Sequence, residues 1–225
     1  MLLIVNHKAN IGYKEIIKYE KQIRKMNLII LPTLCYLNIF KKGKYILGAQ
    51  DISRYEEGNR TGEINANQLK ELKVKYVLVG HIDRVEYNYE TKEIIKDKLN
   101  RCKEKELNPL YCIGETKEDY TEEIVKDIDM YFDVYKDAKE CIFVYEPKKN
   151  IGNDKADFSK IEEVIKFIKE YTITKYNSTP QIIYGGGVRI ENIDFIKSIN
   201  EIKGIIISKK SLKINDLKEI YEKTK

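Results

Sequence analysis

Several residues able to do chemistry stand just past short apolar runs. Glu146 ends the run Cys141 to Tyr145 and precedes Pro147, which puts a carboxylate at the rim of a buried segment before a rigid turn. Partly desolvated there, it would have its pKa raised toward the range useful to a general base. His81, one of two histidines, follows Val77-Leu78-Val79-Gly80, and Asn6 and Lys8 follow Leu2 to Val5. Gly185-Gly186-Gly187 come after Gln181 to Tyr184, and three successive exposed amides suit a phosphate. Ser208 and Lys209 come directly after Ile205 to Ile207. Each has a plainer reading taken alone: a helix-capping or surface glutamate, a satisfied structural histidine, a surface lysine, a simple left-handed turn. Taken together they describe a base, an electrophile, a cation and an anion cradle.

Something must bring these scattered positions to one place. Eight short runs read as strands: Leu2 to Val5, Leu28 to Leu31, Tyr45 to Leu47, Tyr76 to Val79, Leu110 to Ile113, Cys141 to Tyr145, Gln181 to Tyr184 and Ile205 to Ile207. They are continuously apolar, the pattern of strands buried on both faces of a parallel sheet. Between them lie segments of helical period. Ile161, Val164, Ile165 and Ile168 share one face behind Ser159 and Glu162, which are spaced as a capping box, and Ile124, Ile128, Tyr131 and Val134 form a second stripe. Eight strands alternating with helices predict a (β/α)8 barrel over residues 1–225 as a single domain, with an open doubly wound sheet as the alternative. In the barrel every residue singled out above lies at the C-terminal ends of strands, the face on which barrel active sites are built.

Composition removes other classes. With 42% apolar and 34% charged residues among 225, and only 12 glycines and 4 prolines, the chain is neither disordered nor fibrous. No apolar run exceeds five residues, against the roughly 20 a membrane helix needs. Met1 to Val5 lead straight into Asn6-His7-Lys8 without the features of a secretory leader, so no membrane association and a cytoplasmic location are expected. The net charge of +5 comes from basic residues interleaved with acidic ones, as in Lys103-Glu104-Lys105-Glu106, which speaks against nucleic acid as a partner. Cys35, Cys102, Cys112 and Cys141 are widely spaced, without a CxxC pair, and are expected as reduced thiols.

The motifs also carry a family resemblance. Asn6-x-Lys8, Gly48-Ala49-Gln50-Asp51, Thr61-Gly62-Glu63-Ile64, Gly80-His81-Ile82-Asp83-Arg84, Cys112-Ile113-Gly114-Glu115-Thr116, Tyr145-Glu146-Pro147, Ile151-Gly152, Tyr184-Gly185-Gly186-Gly187-Val188 and Ser211-Leu212 resemble, in order and over nearly the full chain, the motif series of the triosephosphate isomerase family. The resemblance implies interconversion of dihydroxyacetone phosphate and glyceraldehyde 3-phosphate through an enediolate, with no cofactor and no metal. By the same resemblance Glu146 is the base, His81 the electrophile helped by Asn6, and Lys8 the fixed positive charge. Gly152, Gly185, Gly186, Gly187, Ser208 and Lys209 fall where the family holds the substrate phosphate, and residues 147–156 where it has a lid. Residues 50–63 match a loop that inserts into a second subunit, with Thr61 reaching the neighbour's site, so a homodimer is expected.

The chain also departs from the family pattern. Lys148-Lys149 replace the hinge Val-Trp, Asp154 stands in place of the second lid glycine, and Gly187 replaces a serine. Ser208-Lys209 replace paired glycines, and Ile82-Asp83 replace Ser-Glu, shortening the carboxylate expected to pair with Lys8. Three explanations are open: a rebuilt phosphate gripper in which Lys209 supplies a point charge, another small sugar phosphate as substrate of a related aldose-ketose isomerase, or a slow member of the family. A non-catalytic barrel that binds a phosphorylated metabolite is a further alternative.

Overall fold

All eight expected strands form, and they pair in sequence order into a closed barrel in the computed structural model, which describes residues 1–152 and 157–225. The strands are β1 Leu2–Asn6, β2 Ile29–Leu31, β3 Ile46–Ala49, β4 Tyr76–Val79, β5 Asn108–Ile113, β6 Glu140–Tyr145, β7 Thr179–Tyr184 and β8 Ile202–Ile207. Every pairing is parallel, and β8 closes on β1 with Leu3 beside Ile205 and Val5 beside Ile207. The open-sheet alternative is therefore set aside. The helices are α1 Tyr13–Ile23, α2 Ala66–Glu71, α3 Ile82–Tyr87, α4 Lys92–Glu104, α5 Thr121–Val134, α6 Ile161–Tyr176, α7 Ile193–Ser198 and α8 Ile214–Thr224.

Alternation along each strand divides the core in two, because successive side chains point to opposite faces. Ile4, Ile29, Leu31, Leu78, Leu110, Cys112, Val144, Ile183 and Ile206 fill the lumen. The larger cluster lies between strands and helices and takes in the predicted stripes of α5 and α6. The capping box expected at Ser159 does not form. The N-cap of α6 is Lys160 without a side-chain bond, and the Ser159 amide donates instead to Asp157 Oδ1 (2.9 Å), which ends the preceding turn one residue later. A complete box occurs at α2, where Asn65 and Gln68 bond each other's backbone amides.

Residues 50–65 hold no helix or strand, and 55–63 are exposed throughout. The root of this loop is anchored by four charges. Lys98, buried in α4, pairs with both Asp51 and Glu90, while Arg84 meets Asp51 (2.9 Å) and Glu90 (2.7 Å). Two acids and two bases balance, which is the condition for burying them without a large penalty. Even so, burial lifts the Asp51 carboxyl above its ordinary range, against the pull of Lys98. All four cysteines are free thiols, and only Cys35 is exposed. Among the described residues no helix is long and apolar enough to cross a membrane.

Candidate active site

A cavity of about 430 Å³ opens at the C-terminal ends of the strands. Asn6, Lys8, His81, Glu146, Gly152, Gly186, Gly187, Ser208 and Lys209 all line it.

Glu146 is held from both sides. Its amide continues the barrel pairing by donating to the Ile113 carbonyl (2.9 Å). A Cβ on Gly114 would run into the Glu146 carbonyl oxygen, and one on Gly185 would come within 2.6 Å of the Glu146 side chain, so both neighbours must be glycine. The side chain is 9% exposed and its Oε2 has no hydrogen-bond partner. The buried Cys112 thiol lies beside the same carboxylate. Burial first, and then this negative charge, push the thiol well above its usual range, so it stays protonated.

His81 caps α3. Its Nδ1 accepts from the Asp83 amide (3.0 Å), so the neutral ring carries its proton on Nε2. That nitrogen faces Glu146 Oε2 at 3.6 Å, too far for a direct bond and close enough for one substrate to touch both. Lys8 adopts a left-handed conformation (φ 50°), stabilised by the Asn6 Oδ1 that accepts its amide (3.0 Å). Its Nζ pairs with Asp83 Oδ2 at 2.7 Å, so the shorter carboxylate reaches the lysine. The same Asp83 thus orients histidine through its backbone and lysine through its side chain.

One phosphate candidate is not brought to the cavity. Gly185 lies behind Glu146, outside the lining, and its amide is already spent on the Tyr145 carbonyl (2.9 Å), so it backs the base and has no donor for an anion. Gly186 and Gly187, both at positive φ, turn toward the opening. Arg189 and Lys210 join Lys209 in the lining, and none of the three has a carboxylate within 4.0 Å among the described residues. Neither was expected: a cation beside a glycine turn has no signal in sequence until the turn is placed. Of the expected lid, Pro147 to Gly152 are described, with a short helical turn at Lys148–Asn150, whereas 153–156, including Asp154, lie outside the described residues. Among the described residues no group of acidic, histidine or cysteine side chains could hold a metal ion.

The family model for triosephosphate isomerase matches residues 1–224. A triosephosphate isomerase of Buchnera aphidicola subsp. Baizongia pistaciae is 34% identical, covering 89% of this chain and 86% of that protein. One from Wigglesworthia glossinidia brevipalpis is 33% identical over 100% and 97%, and one from Alkaliphilus metalliredigens 32% over 92% and 93%. Likeness of this extent, over the same chain whose barrel gathers Glu146, His81, Lys8 and Asn6 at one mouth, leaves a single assignment: the chain belongs to the triosephosphate isomerase family.

Proposed function

We propose that residues 1–225 act as one barrel domain that interconverts dihydroxyacetone phosphate and D-glyceraldehyde 3-phosphate, a step of glycolysis and gluconeogenesis, without a cofactor. The observation that carries this is the unbonded Glu146 Oε2 set 3.6 Å from a histidine nitrogen that holds a proton. Glu146 takes a proton from the carbon next to the carbonyl and returns it to the neighbouring carbon. His81 Nε2–H donates to the carbonyl oxygen as negative charge develops there, and Lys8, fixed by Asp83, stabilises the enediolate. Asn6 shapes the turn that aims Lys8. Gly152, Gly186, Gly187, Ser208 and Lys209 receive the phosphate, with Arg189 and Lys210 adding charge. A carboxylate that accepts the proton beside an imidazole that donates to the carbonyl oxygen is the division of labour that proton transfer next to a carbonyl needs.

A coupled assay with glyceraldehyde 3-phosphate tests the reading. Turnover well above that of Glu146→Ala is expected, and parity between the two rejects it. Three side-chain cations at the anion end also favour comparing three- and four-carbon phosphates, where the triose should give the higher kcat/KM. The exposed 55–63 stretch on its charged anchor supports a homodimer in which residues 50–63, Thr61 among them, enter the partner's site. A monomeric sedimentation coefficient would exclude that arrangement. A cytoplasmic location is proposed, to be read by cell fractionation.

A further inference from the structure

Asn150 stands in the lid segment, yet it is buried (1% exposed) and both ends of its amide are in use. Its Nδ2 donates to the Asp157 carbonyl (2.7 Å) and to the Tyr184 hydroxyl (3.2 Å), and its Oδ1 accepts from the Asp157 amide (2.9 Å). The side chain therefore pairs with the whole backbone polarity of Asp157, as a strand neighbour would. It also touches the anion turn: a Cβ added to Gly186, which sits at φ +105°, would lie 3.1 Å from the Asn150 Cβ. Lys149 adds a 2.8 Å ion pair to the Asp157 carboxylate, half-exposed on both sides and so open to screening by salt.

The chain leaves Asn150 and returns at Asp157, and between them it carries Gly152, which lines the cavity. Gly152 lies two residues beyond Asn150, so holding the Asn150 side chain restrains the approach to that glycine before any ligand arrives. The third partner, Tyr184, ends β7 immediately before the Gly185 to Gly187 turn. We propose that Asn150 is a positioning residue for the anion-binding end of the cavity, clasping Asp157 and Tyr184 so that Gly152 and the Gly186-Gly187 turn face one phosphate. This rests on the reading of the cavity as a phosphate site, and its effect belongs to binding more than to proton transfer.

The test measures the affinity of inorganic phosphate by calorimetry together with KM, kcat and phosphate release. Loss of the clasp in Asn150→Ala should weaken phosphate binding and raise KM for glyceraldehyde 3-phosphate about tenfold each. At saturation kcat should stay within about threefold of the parent. A larger share of turnovers should end in elimination, in which the enediolate electron pair expels phosphate by cleaving its C–O bond, and the enol left behind gains a proton on carbon as it loses one from oxygen to give methylglyoxal. Asn150→Asp, which keeps the acceptor and loses the donor, should fall between parent and alanine, and Tyr184→Phe should show a smaller loss. Should the alanine variant fail to fold, the aspartate and phenylalanine variants carry the test. Unchanged phosphate affinity in the folded variants overturns the proposal, as does a parent that binds no phosphate. A parent that binds phosphate but turns over no triose would sink the isomerase reading alone, because weakened phosphate binding in Asn150→Ala would still bear the clasp out.

Discussion

His7 offers a quantitative test of how burial sets stability. Placed between Asn6 and Lys8, its ring points outward from the barrel into the helix layer and is fully buried. The edge of Tyr19 approaches at 4.6 Å and Phe40 at 6.5 Å, and neither ring nitrogen has a hydrogen-bond partner. Burial lowers its pKa from 6.5 to about 4. The folded chain therefore keeps His7 neutral over a range in which the unfolded chain protonates it. As pH falls from above 6.5 to about 4, the unfolded state holds the extra proton, and stability falls with it. The gap between 6.5 and about 4, at roughly 1.36 kcal/mol per pH unit, amounts to about 3 kcal/mol. His7→Phe keeps an aromatic ring among aromatic neighbours and removes both the titration and the two unsatisfied nitrogens. At pH 7 the variant should already be more stable, by about 1–3 kcal/mol, since a buried polar atom without a partner costs about that much. The advantage should grow by about 3 kcal/mol on going to pH 4. Urea denaturation of both proteins at pH 7, 6, 5 and 4 and one fixed protein concentration reads the difference, in which all other titrating groups cancel. A difference that stays constant with pH would refute the reasoning.

Other outcomes follow from the same geometry. Glu146→Asp withdraws the carboxylate by one methylene while Gly114 and Gly185 hold the backbone in place, so kcat should fall about 100-fold or more with KM little changed in steady-state assays. Lys209→Ala should raise KM and leave kcat, and an unchanged KM would show that this cation does not meet the anion. Lys98→Met leaves Asp51 and the buried Glu90 with one cation fewer, so unfolding should cost about 3–5 kcal/mol less by urea titration.

The barrel was legible because burial on both faces writes strands as unbroken apolar runs, and β5 to β8 extend those runs by one to three residues at their N-terminal ends. At β5 and β7 the extension takes in Pro109 and Pro180, residues without the N–H that an interior ladder position would use. The chemical groups were legible for a related reason: strand ends are easy to find, and the barrel mouth is where they converge. Tertiary proximity was not. Gly185 looked like part of an anion turn, and only the packing against Glu146 shows that its amide is already spent. Asn150 reaches seven residues ahead to Asp157, a spacing with no helical or strand period, and His7 gives no sign in sequence that its nitrogens go unpaired. The Ser159 box failed because Asp157 competes for the same amide.

Lys8 carries a tension between activity and durability. A lysine at φ 50° holds a conformation that costs a residue with a Cβ about 1–2 kcal/mol, and glycine would take it freely. The chain keeps the side chain nonetheless, with Asn6 and Asp83 bracing it. Selection for longevity alone would drift toward glycine at this position and lose the cation, so directed evolution under heat without an activity screen should discard Lys8 early. The turn therefore works as a gauge, in which any stability gained there is read directly as charge surrendered at the mouth of the barrel.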